Sequence, residues 1–287
     1  MKKATSPVYI FKKRTAAKFL PQVSITDNKA TRGRSLILAG SPDYPGAGIL
    51  SAQGAQRMGS GYVILAQKSI PAALLEHPDF LLADLNKKSW REIPCDAILI
   101  GPGFGVTKDT AKIIRELKAA NKEKVVIDAD ALTVCANEDL FPLPATWIAT
   151  PHVGELARCL KISSEEINAD RAAAILKAQV HFGCVVLLKG HGTLVINQKR
   201  IYSVASGNSA LAKAGTGDVL AGMITALRAQ GMPATRAALL GAYVHGATAS
   251  LWHSQKRDLL AMTALDVLQA IPRVLYLLRR LNEKTSQ

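Results

Sequence analysis

Short apolar runs alternate with longer amphipathic stretches along the 287 residues of the chain. "SLILAG" (Ser35 to Gly40), "YVILA" (Tyr62 to Ala66), "DAILIGPGFG" (Asp96 to Gly105) and "KVVIDADAL" (Lys124 to Leu132) are each continuous in apolar residues at their start. Such runs, three of them followed by glycines or carboxylates, predict strands buried on both faces. Between them the period lengthens. "DTAKIIRELKAAN" and "RAAAILKAQVHFG" read as helices with one apolar face, the second stopped by Gly183. "TWIATPHVGELARCL" predicts a strand, a Thr-Pro turn and a helix start, and "CVVLLKGHGTLVI" two strands joined by a glycine turn. From Gly46, and again in "GDVLAGMITALRAQG" and "ATRAALLGAYVHGATASLWHSQ", small residues recur at helical spacing; "ALDVLQAIPRVLYLLRRL" closes the chain. This alternation predicts an α/β fold: a mostly parallel sheet with helices on both faces. No linker or repeat divides it. Residues 1–30 are expected to form a basic arm or leading helix, and 31–287 a single domain.

Composition agrees. Hydrophobic residues make up 48% of the chain but aromatics only 5%, so Ala, Leu, Ile, Val and Gly must build the core. The net charge of +14 attracts anions. Many cations fall early, at Lys2, Lys3, Lys12, Lys13, Arg14, Lys18, Lys29, Arg32 and Arg34, and no stretch interleaves them with aromatics as a nucleic-acid surface does. Phosphorylated small molecules are therefore expected as partners, without nucleic acid or membrane. Cys95, Cys135, Cys159 and Cys184 form no Cys-x-x-Cys pair and read as buried thiols. With neither a signal-peptide pattern nor a membrane-length apolar run, the expected location is the cytoplasm.

Ligands of open parallel sheets bind at the carboxyl ends of the strands. "AGSPDYPGA", "GPGFG", "DADAL", "TPHVGE", "KGHGT" and "AGTGD" all fall there. Taken alone, "GPGFG" is a tight turn. "AGTGD" is more specific. Gly215, Thr216 and Gly217 at a helix start offer unpaired N–H groups as an anion nest. Asp218 is then an N-cap or a general base beside a held phosphoryl group. Glu155 is a first-turn carboxylate favoured by the helix dipole, or a holder of hydrated Mg²⁺. His152 precedes it in the turn, where it would hydrogen-bond a substrate, and His245 reads as a core histidine. Asp128 and Asp130 fall on opposite faces if their strand continues, so they are no acid–base pair. The Walker A and dinucleotide-binding glycine patterns are absent.

Together "GRSLILAGSPDYPGAGILSAQGAQRMGSGYV", "IGPGFG", "VIDADAL", "TPHVGELAR", "LLKGHGTLV", "GNSALAKAGTGDVLAGMI" and "GAYVHG" resemble the ribokinase-like ADP- or ATP-dependent NAD(P)H-hydrate dehydratases. The resemblance implies a three-layer ribokinase-like sandwich. It also implies a repair reaction, in which the C6 hydroxyl of hydrated NADH or NADPH is phosphorylated by ADP or ATP and phosphate is lost. By the resemblance, Ala47, Gly103 and His152 would contact the hydrated nucleotide, as would Asp218, the base. Lys189, Gly190, His191, Gly192, Thr193 and Gly217 would hold the donor. Mg²⁺ would sit near Glu155 through water, and the protein would be a homo-oligomer, a tetramer. A related kinase acting on a vitamin precursor or sugar is the alternative, and a non-catalytic nucleotide-binding protein a third, which the intact Asp218 disfavours. Two departures, Asn28-Lys29-Ala30 and Ser209-Ala210-Leu211, fall in loops expected near the ligand. The motifs begin near Gly33, so no epimerase domain is expected in this chain.

Overall fold

The computed structural model describes residues 7–68, 70 and 78–285. Among the described residues, ten strands form one sheet: β1 (Val8–Phe11), β2 (Arg34–Leu38), β3 (Tyr62–Gln67), β4 (Leu81–Asp84), β5 (Ala97–Ile100), β6 (Val125–Ile127), β7 (Ile148–Ala149), β8 (Val185–Leu188), β9 (Leu194–Asn197) and β10 (Arg200–Val204). Their order across the sheet is β1-β10-β9-β8-β7-β6-β5-β2-β3-β4. All neighbours are parallel except at β9, which runs antiparallel to both β8 and β10. The all-apolar strands are central. Ile98, Leu99 and Ile100 of β5 and Val125, Val126 and Ile127 of β6 are at most 2% exposed, because helices cover both faces.

Alternate residues of the central strands feed two cores. One lies under α1 (Lys13–Phe19), α2 (Pro45–Arg57), α8 (Thr216–Ala229), α9 (Ala234–Ser254) and α10 (Ala264–Thr285). The other lies under α3 (Lys108–Ala119), α4 (Ala129–Asn137), α5 (Val153–Leu160), α6 (Ser164–Ala169) and α7 (Arg171–Phe182). Leu99 points into the first core and Ile98 and Ile100 into the second, as the two-residue period requires. The result is three layers, with the expected mostly parallel sheet between two sets of helices.

The leading segment holds more than an arm or helix. Val8–Phe11 adds a parallel edge strand to β10, and Ala16 and Ala17 of α1 are buried. The sequence pattern gave no sign of β1, since Val8, Tyr9 and Ile10 remain exposed at the edge. Lys2 and Lys3 lie outside the described residues. Among the described residues, no helix is long and apolar enough to cross a membrane, and the four cysteines are free thiols.

The small residues explain the closest helix pair. A side chain on Gly54 of α2 would collide with the carbonyl oxygen of Val219, and one on Gly222 of α8 with that of Ser51. The two backbones therefore lie against one another with no room for a methyl. Gly222→Ala is expected to destabilise the fold by about 1–3 kcal/mol through overpacking. Denaturant unfolding would show it as a lower midpoint with an unchanged slope.

Candidate active site at the carboxyl ends of the strands

Each strand-end loop is shaped by a local rule. After β6 the chain turns at once. Asp128 takes the N-cap position of α4 without a side-chain capping bond, and Ala129 adopts φ +47°, a left-handed conformation that a non-glycine residue holds only under constraint. The "DADAL" stretch is thus a strand end and a helix start, so the strand does not continue through both carboxylates. Asp128 and Asp130 separate because of this turn. Asp128 points inward and is 1% exposed, whereas Asp130 accepts the backbone N–H of Gly105 at 2.9 Å. Gly101, at φ +133°, has its Cα against the carbonyl oxygen of Asp128. The "GPGFG" loop is therefore fastened to "DADAL" at both its ends.

The buried Asp128 has a specific partner. Lys189, the first residue after β8, donates from Nζ to Asp128 Oδ1 at 2.7 Å and lies 3.7 Å from Glu155 Oε2. Glu155 itself closes a capping box at the start of α5. The His152 N–H donates to Glu155 Oε2 at 2.7 Å, and His152 Nδ1 accepts from the Gly154 and Glu155 N–H groups at 3.0 and 3.3 Å. Nδ1 is thereby an acceptor, which leaves Nε2 as the protonated nitrogen. Burial and the Lys189 charge lower the pKa of His152, so its ring stays neutral near pH 7. The dipole and Mg²⁺ alternatives for Glu155 are joined by a third job, since its carboxylate both caps α5 and faces Lys189.

Asp218 is not the cap of α8. The cap is Gly215 at φ +87°, where the Leu50 side chain leaves no space for a Cβ, and Asp218 is the third residue of the helix. Burial first, then repulsion from Asp128, pushes its pKa up to about 7 against the attraction of Lys189. Glu155 rises to about 7 for the same leading reason, again opposed by Lys189. For Lys189 burial acts downward, but Asp128 and Glu155 outweigh it and the pKa is raised. One ammonium thus faces several carboxylates, and the cluster carries surplus negative charge.

Beside the cluster is a cavity of about 640 Å³. Lys189, Gly190, His191, Gly192, Thr193 and Gly217 all line it, together with Ser206 to Ser209 of the next loop. A Cβ on Gly217 would stand 3.5 Å from Lys189 Nζ, so the start of α8 and the β8–β9 turn face each other closely. Ala47 and Gly103 are neighbours on the other side. A Cβ on Gly103, at φ +58°, would meet Ala47 Cβ at 3.0 Å and Tyr44 Cβ at 2.7 Å. His245, buried as expected, holds the Thr216 carbonyl through Nε2 at 2.9 Å, and burial lowers its pKa to about 4.

Of the two departures, Ser209–Leu211 forms a short turn whose Ser209 and Leu211 line the cavity. Asn28–Ala30 does not reach the site. The Lys29 carbonyl abuts Gly61 before β3, at the opposite edge of the sheet. Sequence reasoning missed Arg171. Its Nη2 donates to the carbonyls of Leu188 and Lys189 at 3.4 and 3.3 Å, and the guanidinium lies 3.4–3.8 Å from where a Gly190 Cβ would be. Among the described residues no carboxylate pairs with it. An arginine opening a helix carries no sequence signal for this role.

Among the described residues, no three His, Cys, Asp or Glu side chains are grouped to enclose a metal ion. The donor set suits a hydrated cation held by one carboxylate and ligand phosphates.

Comparison with known proteins matches this frame. The family profile described as NAD(P)H-hydrate dehydratase covers residues 35–273. The bifunctional NAD(P)H-hydrate repair enzyme of Vibrio cholerae is 37% identical over 88% of this chain, which spans only 52% of that protein's length. The ADP-dependent (S)-NAD(P)H-hydrate dehydratase of Neisseria meningitidis is 36% identical, the match covering 78% of each chain. Among solved structures, the ADP/ATP-dependent NAD(P)H-hydrate dehydratase of Bacillus subtilis, co-crystallised with ATP and Mg²⁺, superposes with a TM-score of 0.84 at 28% identity. That match covers 94% of this chain and 99% of the other.

The raised pKa of Asp218 has a consequence for stability. A carboxylate with folded pKa about 7 and ordinary value 3.8 stabilises the fold fully below pH 3.8, and this contribution is lost as pH rises through about 7. Asp218→Asn is therefore expected to gain stability at pH 8, by about 1–2 kcal/mol once partial solvation is allowed for. Denaturation at a series of pH values should show a flatter profile between pH 4 and 7 than in the unsubstituted protein.

Proposed function

The chain belongs to the NAD(P)H-hydrate dehydratase family, and on that premise we propose that it restores hydrated NADH and NADPH by ADP- or ATP-dependent dehydration. The observation that carries this is Asp218. It is a buried carboxylate poised near pH 7, one residue beyond the Gly215–Gly217 helix start, and its neighbours Thr216, Gly217 and Lys189 line the donor cavity. The first backbone N–H groups of α8 and the positive end of its dipole suit a terminal phosphoryl group. Ionised Asp218 takes the proton from the C6 hydroxyl, and the hydroxyl oxygen attacks the phosphoryl group. AMP leaves if ADP is the donor, and ADP if it is ATP. Phosphate then departs from C6, the neighbouring ring carbon gives up a proton, and the double bond returns. Phosphorylation is needed because hydroxide is the poorer leaving group.

The remaining residues divide between the two nucleotides. Lys189, Gly190, His191, Gly192 and Thr193 hold the donor with Gly217, whose Cβ position would stand 3.5 Å from Lys189 Nζ. Arg171 fixes the carbonyls at the root of that loop. Ala47 and Gly103, adjacent in space, contact the hydrated nucleotide, with His152 offering its Nε2 proton. Mg²⁺, when it arrives with the donor, neutralises phosphate charge. Glu155 would hold it through water, in keeping with the surplus negative charge around Lys189. The protein acts in the cytoplasm as a homo-oligomer, a tetramer by likeness to the family, without nucleic-acid or membrane partners. Its free thiols support a reducing compartment.

The direct test is recovery of reduced-nicotinamide absorbance from hydrated NADH or NADPH with ADP and ATP supplied in parallel. Recovery with neither donor overturns the proposal, and a stable phosphorylated product would point to a simple kinase. Asp218→Asn is expected to keep donor affinity within about threefold while turnover falls about 10²–10⁴-fold, the usual worth of a general base. Turnover in the unsubstituted enzyme should rise with pH through about 7, as Asp218 ionises. Gly217→Val should instead weaken donor binding by about tenfold or more, through steric block of the phosphate site.

A further inference from the structure

Helices α2 and α8 open at the candidate active site and close at a second concavity on the opposite edge of the sheet. The fourteen residues of α8 place the two sites about 20 Å apart. This cavity measures about 450 Å³. Its walls come from the segment after α1, the end of α2, the α8–α9 connection and one face of α10.

Five cations converge on it from distant parts of the sequence: Lys18, Arg32, Arg57, Arg236 and Arg279. Asp27 is the sole carboxylate among its described lining residues. It reaches Arg32 at 3.8 Å, a long and exposed contact that contributes little. Among the described residues no carboxylate lies within ion-pair distance of Lys18, Arg57, Arg236 or Arg279. Arg279 is half-buried, and its Nη1 donates to the Pro21 carbonyl at 3.0 Å. That contact aims the guanidinium into the wall, where the neighbouring charge of Arg32 repels it. Burial and that repulsion both lower its pKa.

The backbone adds to the field. α9, twenty-one residues long, begins here behind Pro233, with no side-chain cap and no acidic residue in its first turn. Its positive end is thus uncompensated by the chain itself. The floor is apolar, with Leu20, Met58, Met232 and Leu275, and Phe19 under the Arg236 guanidinium at 5.1 Å. Cations scattered over a solvated surface repel one another weakly. Cations gathered around a low-dielectric floor focus their field, and an anion placed between them relieves the repulsion. The volume is that of a small-molecule site.

We propose that this basic cavity is a second ligand site, which takes a phosphorylated small molecule bearing at least two negative charges, independently of the donor site at the strand ends. The probe is inorganic pyrophosphate, and the readout is hydrogen exchange of the full chain, which locates protection along the sequence. Exchange in residues 18–33 and 230–237 is expected to slow by about fivefold or more with pyrophosphate. In the double variant R57Q/R236Q that protection should vanish, while any protection of 189–193 and 215–218 persists. Both substituted side chains are exposed, and an unchanged melting temperature confirms that the variant folds. R57K/R236K, which keeps the charge, should retain the protection. Protection confined to the strand-end loops would overturn the proposal. So would equal protection by sodium chloride at matched ionic strength, or undiminished protection in R57Q/R236Q. None of these readouts involves turnover, so the outcome does not depend on the dehydratase activity.

Discussion

The site depends on the position of one ammonium group. Lys189 is held at 2.7 Å from a carboxylate that is 1% exposed, and its backbone N–H is fixed by the Pro151 carbonyl at 2.8 Å. A buried ion pair of this kind adds little net stability, because desolvating both partners offsets their attraction. What it does is set charges for its neighbours. Glu155 and Asp218 both feel Lys189 as the attraction that opposes their burial and their mutual repulsion with Asp128. Without the lysine, several carboxylates would share one edge of the sheet uncompensated. With it, Glu155 and Asp218 are both held to about 7 rather than driven higher.

That charge arrangement follows from the architecture. Parallel strands bring every strand-to-helix turn to the same edge, and each helix that follows presents its positive end there. Asp128 follows β6, His152 and Glu155 follow β7, Lys189 follows β8, and Asp218 opens α8. Residues sixty-one apart in sequence, Asp128 and Lys189, become hydrogen-bonded because their strands are separated only by β7. The single antiparallel strand, β9, makes the "KGHGT" turn possible. A parallel connection would need a crossover helix, whereas the hairpin leaves a short glycine loop that lines the cavity.

Much of this was legible in the residues. Continuous apolar runs ending in glycine marked the central strands, and "AGTGD" marked the helix start that faces the cavity. The failures share a physical cause. β1 is an exposed edge strand, so burial left no pattern on it, and its apolar residues resemble a stray cluster in a basic segment. The sharp turn at Ala129 was unreadable because alanine gives no hint of a left-handed backbone; the constraint comes from Gly101 packing on Asp128. The ion pair of Lys189 with Asp128, and the place of Arg171 beneath the loop, are long-range contacts that no local spacing encodes. Asn28–Ala30 was misplaced although its position was readable, since a loop that precedes β2 enters that strand at its amino end, away from the carboxyl edge where the site lies.

The small residues of α2 and α8 bear on chemistry as well as packing. Ala47 lies in the first turn of α2, and Asp218 in the first turn of α8. The separation of these helices fixes how far Asp218 stands from the loop pair of Ala47 and Gly103. Gly54 against Val219 and Gly222 against Ser51 set that separation at backbone contact. A larger side chain at either glycine would push the helices apart along much of their length, since helices are stiff over so few turns. The displacement would be felt at both ends of the pair, and reacting groups placed by such helices are sensitive to shifts of about an ångström. Close packing in the helical layer is therefore a condition for the geometry of the site, which explains why the chain accepts glycine in helix interiors despite its cost of about 1 kcal/mol relative to alanine.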